Sequence, residues 1–216
     1  MIESCVECKG EKLAMKDKEV RIMFKEQLVE RIKQAKDNGE LLFIEELNYA
    51  KKQEIIDEKE VNVLDPKKRF FDSYIERGDK ETENFLGTES ASEFFEQPIT
   101  YFKQHINEFV YVESVWFDQL NVESLSFEVD DLFRTYDCLI GLKLPKKKEK
   151  EIKAYFMSIF TSDEARLSPM FNQKDGLWEI NFTLDYIEGF SEDMKIGEAF
   201  SLIYKVLFDL IIELEG

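Results

Sequence analysis

The sequence predicts an α+β fold: an antiparallel sheet of four or five strands, built from a strand-strand-helix unit used twice, with helices packed on it and a helical N-terminal segment. Three observations predict it. Four segments between Ser124 and Leu184 alternate apolar and polar residues with a period of two, which puts one set of side chains on one face of a strand. Each pair of such segments is followed by a stretch with helical spacing of apolar residues. The last two segments flank a loop whose Gly176 can take the positive φ that a hairpin needs.

In chain order, Ser124 to Val129 turns Leu125, Phe127 and Val129 to one face, and residues 130 to 135 make the turn into the next strand. From Tyr136 to Leu144, Cys138, Ile140, Leu142 and Leu144 share a face until Pro145 ends the run. Lys146 to Phe160 carries Ile152, Tyr155, Phe156, Ile159 and Phe160 at helical spacing behind a run of charges. Leu167 to Phe171 and Leu177 to Leu184 form the second hairpin, with Trp178, Ile180, Phe182 and Leu184 set against Glu179, Asn181 and Thr183. The final helix, Ala199 to Leu214, has a narrow polar stripe of Ser201, Lys205, Asp209 and Glu213. Its apolar surface exceeds what one sheet covers, so Phe200, Ile203, Leu207, Leu210 and Ile211 are read as partner-binding residues. Their cover is either the N-terminal helices or a partner, such as a second copy of the chain.

The N-terminal half reads as a helical segment over 23–90, with the α+β core over 91–216. Phe24, Leu28, Ile32 and Ala35 share a helix face that ends near Gly39. Leu41 to Ile44 suits a strand or a helical turn, and Val61 to Leu64, before Asp65 and Pro66, suits extended chain. Ser73 to Glu93, rich in Gly, Thr, Ser and acid, reads in part as an exposed loop. Pro98 suits the first turn of a helix carrying Ile99, Phe102, Ile106 and Phe109. Tyr111 to Phe117 either continues that helix or forms a strand. Lys18, Glu19 and Val20 are encodable as AAG GAG GTN, a bacterial ribosome-binding sequence, and Met23 follows two codons later. Residues 1–22 are therefore read as translated leader, which the intact mass of the protein from its native host would test.

Composition narrows the function. Lys and Arg total 29 against 46 Asp and Glu, a net charge of −17, and no segment is basic. The cluster Lys146, Lys147, Lys148 and Lys150 is diluted by Glu149 and Glu151, so nucleic acid is not the expected partner. The apolar run of the last helix is interrupted by charge and too short for a bilayer, so no membrane is expected either. Three cysteines and no signal peptide point to the cytoplasm. Cys138 suits a small core residue, while Cys5 and Cys8 form a lone CxxC: half of a zinc site completed by a symmetry mate, or a redox pair. His105, the single histidine, suits a structural or surface role beside Ile106. The pairs Glu45 with Glu46, Asp130 with Asp131 and Glu192 with Asp193 could bind a divalent cation or act as acid and base, but adjacent carboxylates in a strand point to opposite faces, and Glu192 with Asp193 suits the electropositive start of the last helix. Asp72 and Glu76, with Arg69 and Arg77, make a surface salt-bridge set if that segment is helical. No Walker or Rossmann glycine pattern and no HExxH occurs, and no cofactor is expected.

If Tyr111 to Phe117 is a strand, the order from Pro98 is helix, three strands, helix, two strands, helix. That order resembles the type III secretion chaperone-like fold, which implies a dimeric protein-binding chaperone; the large N-terminal addition departs from it. The segment Arg69-Phe-Phe-Asp-Ser-Tyr-Ile-Glu-Arg-Gly-Asp-Lys-Glu-Thr-Glu83 resembles a family of Bacillus-type cytoplasmic proteins carrying the label branched-chain amino acid aminotransferase. The label implies pyridoxal phosphate, a Schiff-base lysine and a phosphate site. This chain has no glycine-rich phosphate loop and is short for that enzyme fold. The expected role is therefore a cytoplasmic protein of a low-GC bacterium that binds another protein as an adaptor or chaperone-like module. A small-molecule enzyme using carboxylates and an acidic DNA mimic are the alternatives.

Overall fold

Strand pairing reaches further upstream than the alternation of apolar residues. Seven strands form one antiparallel sheet in the order β2-β1-β3-β4-β5-β7-β6. They are β1 (Tyr74–Asp79), β2 (Phe85–Glu89), β3 (Glu108–Glu113), β4 (Val122–Val129), β5 (Tyr136–Leu142), β6 (Leu167–Asn172) and β7 (Leu177–Thr183). The structure, a computed structural model, describes residues 24–57 and 63–215. It divides between Asp65 and Pro66 into two compact units. The sheet-bearing unit thus starts well before residue 91.

The α+β class and the antiparallel sheet agree with the sequence, and β4 to β7 are the four strands that alternation predicts. The strand count does not agree: there are seven, not four or five. The segment Ser73 to Glu93, expected as loop, supplies the hairpin β1–β2. Its inward positions explain the concealment. Ile75 is the one buried apolar side chain pointing inward from β1, and Arg77, two residues on, pairs with Glu89 of β2 at 2.7 Å and Glu108 of β3 at 2.8 Å. This end of the inner face is therefore joined by ion pairs, which leave no period-two hydrophobic signal.

The helix expected from Pro98 is also cut short. After the short helix α3 (Ala91–Phe94), only α4 (Tyr101–Gln104) forms, because Ile99 donates its N–H to the Met194 carbonyl at 2.9 Å and the chain leaves helical geometry at His105 to enter β3. Tyr111 to Phe117 realises both alternatives in turn. It is strand up to Glu113; then Ser114, whose hydroxyl accepts the Trp116 N–H at 3.4 Å, caps the short helix α5 (Val115–Asp118).

Helices cover one face of the sheet. The helix α6 (Glu149–Ile159) packs Phe156 on Phe182 of β7, ring centroids 4.9 Å apart. The long helix α7 (Ile196–Glu215) places Phe200 5.7 Å from Phe127 of β4, and Phe102 reaches the same Phe127 at 5.0 Å. Tyr155 of α6 donates its hydroxyl proton to the Val206 carbonyl of α7 at 2.7 Å. Each such buried aromatic contributes roughly 1.5–3 kcal/mol through burial alone. The part of α7 that the sheet does not reach meets aromatic side chains from residues 66–118. Phe95 and Phe117 lie 5.2 and 6.4 Å from Phe200, and Phe70, on a 3-10 turn at Pro66–Phe70, lies 6.2 Å from Tyr204. Arg69 of the same turn is buried over the ring of Tyr204 at 3.9 Å.

In the other unit, α1 spans residues 24–38 and α2 spans Ile44–Lys52. Phe24, Leu28, Ile32 and Ala35 are buried as their spacing requires, and the Glu40 N–H closes on the Ala35 carbonyl at 2.8 Å just past Gly39. Leu42 forms a single parallel bridge with Val63 before α2 starts. The proposed leader 1–22 lies outside the described residues.

Candidate functional site: the open face of the sheet

The strand register turns the outward residues into rows on the face away from the helices. One row runs Thr88, Glu76, Tyr111, Ser126, Leu139, Asn181 and Ser168 across all seven strands. Beside it run Phe85, Gly78, Phe109, Glu128, Asp137 and Thr183. On the other side lie Tyr74 and Glu113, then Ser124, Gly141, Glu179 and Met170. Phe85 and Met170 are each 61% exposed and Tyr74 43%, so this face meets solvent at both ends.

Its chemistry changes along the rows. Over β4, β5, β7 and β6 there is a groove of about 310 Å³, floored by Ser124, Ser126, Leu139, Gly141 and Asn181 and edged by Ser168, Met170 and Glu179. Small residues create it. A Cβ on Gly141 would stand 2.5 Å from the Ser124 hydroxyl, so the two strands approach there without side-chain bulk between them. The Asn181 Oδ1 is buried with no hydrogen-bond partner, and Glu179 accepts from Asn172 Nδ2 at 2.8 Å.

Beyond the groove lies a charged cluster. Arg166 donates to the Thr135 hydroxyl at 2.7 Å and to Asp137 at 3.1 Å, with its guanidinium 4.2 Å over the Phe133 ring. Lys80 donates to the Val129 carbonyl and to Asp131 at 3.0 Å, and stands 3.9 Å from Glu128. Burial pushes both Glu128 and Asp137 above the ordinary carboxylate range, against the pull of Lys80 and Arg166.

At the opposite end, Tyr74 donates to Glu76 at 2.7 Å and Tyr111 to Glu113 at 3.0 Å. Burial, with the charges of Glu113, Asp118 and Glu76, pushes the Tyr111 hydroxyl up to about 12. Burial and Glu113 likewise raise Asp118.

The structure scatters the residues singled out from sequence. Phe200, Ile203, Leu207, Leu210 and Ile211 are all buried within the chain, none more than 4% exposed, so the last helix offers no free surface at these positions. Cys5 and Cys8 lie outside the described residues, and Cys138 is buried in β5. His105 is 41% exposed, stacks on Tyr101 at 4.2 Å and places Nδ1 3.2 Å from Glu108. Asp130 accepts the N–H groups of Leu132 and Phe133, while its neighbour Asp131 binds Lys80. Glu192 meets Lys103 and the Tyr136 hydroxyl instead of capping α7, and Glu46 is buried beside Arg31 at 3.4 Å. The set Asp72, Glu76, Arg69 and Arg77 is not helical, since Glu76 and Arg77 are consecutive residues of β1. Among the described residues, no group of three or more His, Cys, Asp and Glu is placed to hold a metal ion, and no helix is long and apolar enough to cross a membrane. Comparison with protein-family profiles, curated proteins and solved structures finds no match for the chain.

Proposed function

We propose that this chain is a protein-binding module without a catalytic role, and that it presents the open face of its sheet to a partner. The observation that carries the reading is the exposure of that face opposite a helix-covered core, with Phe85, Tyr74 and Met170 standing out from it. The groove upon it is shallow and floored by hydroxyls, an amide and small residues, which suits contact with a partner's surface. The element order α4, β3 to β5, α6, β6, β7, α7, interrupted by α5 and by 3-10 turns at Lys146–Lys148 and Leu184–Tyr186, is the one on which the chaperone-like resemblance rests. It supports a binding role by analogy of architecture alone. Carboxylates on the face stand as two pairs, Glu76 with Glu113 and Glu128 with Asp137, and a single Glu179, separated by serine, leucine and glycine. That arrangement favours a mixed protein interface over the regular anion spacing of a DNA mimic.

One observation favours the enzyme alternative. Glu128 and Asp137 are direct cross-strand neighbours with raised pKa values, as a general acid requires. Against it, Arg166 and Thr135 already occupy the oxygens of Asp137. The test is affinity enrichment from native host lysate with the tagged chain, a face-blocking Ser126→Trp variant and a Lys153→Ala control on α6. A protein retained by the parent and the control but lost with Ser126→Trp is expected. An identical set retained by all three overturns the reading.

A further inference from the structure

We propose, building on the reading of the open face as a protein-binding surface, that its tyrosine-bearing end over β1 and β3 receives an arginine- or lysine-rich segment of a partner protein. Charge complementarity selects that occupant. At the far end of the face Asp137 is answered by Arg166 at 3.1 Å and Glu128 by Lys80 at 3.9 Å, while Glu179 accepts from the Asn172 amide at 2.8 Å. Over β1 and β3 no lysine or arginine of the described residues pairs with Glu76, Glu113 or Asp118. Glu76 and Glu113 are instead each held by a tyrosine hydroxyl. Arg77, the cation nearest in sequence, points to the helix side and is bonded to Glu89 and Glu108. The raised Tyr111 and Asp118 fit a patch of uncompensated negative charge that an incoming cation would relieve. Aromatic rings add to this, because a guanidinium or ammonium is attracted to the face of a tyrosine or phenylalanine, and Tyr74, Phe85, Phe109 and Tyr111 lie on this end.

The sheet edges point to side-chain recognition over strand addition. The edge strand β2 is five residues long, with a register shift that leaves Leu86 unpaired, and the other edge strand, β6, holds Pro169, which has no N–H to donate. A partner is therefore read across the face.

The test uses the full chain, isotopically labelled, and two synthetic peptides: alternating arginine and serine, and alternating glutamate and serine of the same length. The arginine peptide is expected to move the Tyr74 and Tyr111 resonances and to weaken as salt is raised. The double variant Glu76→Gln, Glu113→Gln should weaken it about tenfold without lowering the urea midpoint, and Lys153→Ala on α6 should leave it unchanged. The proposal is overturned if the arginine peptide fails to bind at low salt, if the glutamate peptide binds as well, or if the double variant binds like the parent. It is also overturned if the chain alone sediments as a dimer that the double variant abolishes, since a second copy is then the occupant. Failure with the peptides while a host protein still depends on Ser126 removes this proposal and leaves the face reading standing; failure of both experiments removes both.

Discussion

Asp137 shows how a single side chain on the open face is held in place. Its side chain is 7% exposed, so the carboxylate has lost most of its water and depends on Arg166 and Thr135. Removing the cation leaves a desolvated charge, whereas removing the charge leaves a neutral amide that still accepts from Thr135. Arg166→Ala is therefore expected to cost about 1–3 kcal/mol, with further loss from the Phe133 ring it covers. Asp137→Asn should cost less. Urea unfolding of the two variants checks the order, and a costlier Asp137→Asn contradicts the account.

At the scale of elements, what could be read from the chain depended on which side of each strand carries the hydrophobic contacts. The strands β4, β5 and β7 bury Leu125, Phe127, Cys138, Ile140, Trp178, Ile180 and Phe182 at alternate positions, while the edge strand β6 only half-buries Leu167, Pro169 and Phe171, and the alternation of each is legible. The hairpin β1–β2 is not, because an arginine stands where a core residue is expected. The helix foreseen from Pro98 failed for a different reason. Ile99 and Phe102 are buried at helical spacing, but Phe109 belongs to β3 and lies on the open face, so the same periodicity spans two elements. The candidate site was half legible. Ser124, Ser126, Glu179 and Asn181 could be assigned outward from alternation, yet their meeting in one groove depends on cross-strand register, which is a long-range property. The edges carry their own prediction. Pro169→Val supplies β6 with an N–H and a better strand residue, so the variant should self-associate more than the parent as concentration rises. Size-exclusion chromatography over a concentration series checks this, and unchanged elution would show that Pro169 does not guard the edge.

For the whole molecule, titration sets an unusual pH dependence. Asp118, Glu128, Asp137 and Asp185 are all held above their ordinary range, chiefly by burial. An acid with a raised folded pKa binds its proton more tightly folded than unfolded, so these four add stability as pH falls from neutral toward the carboxylate range. Glu108 and Asp130 behave oppositely. Burial raises both, but Arg77 outweighs it for Glu108, and the Phe133 and Leu132 N–H groups outweigh it for Asp130. Glu192 is lowered by Lys103, Asp79 by the Thr82 hydroxyl and Glu149 by Lys153. The stability those five contribute is complete above the unfolded pKa of about 4 and is lost as pH falls through their lower folded values. With a net charge of −17 also relaxing on acidification, the urea midpoint is expected to be higher at about pH 5 than at pH 7 and to fall below about pH 4. A midpoint that declines steadily from pH 7 downward would contradict this balance.

The order β2-β1-β3-β4-β5-β7-β6 departs from the order of synthesis only where β1 sits between β2 and β3, and where β7 sits between β5 and β6. Every pairing is antiparallel, and four of the six join strands that are consecutive in the chain; only β1 with β3 and β5 with β7 pair across an intervening strand. Each step closes a modest loop, and the entropy of closure grows only slowly with loop length. The sheet can therefore grow outward from β4 and β5 in small steps, with unpaired backbone open to neighbouring molecules for less time than a parallel sheet of this width would require.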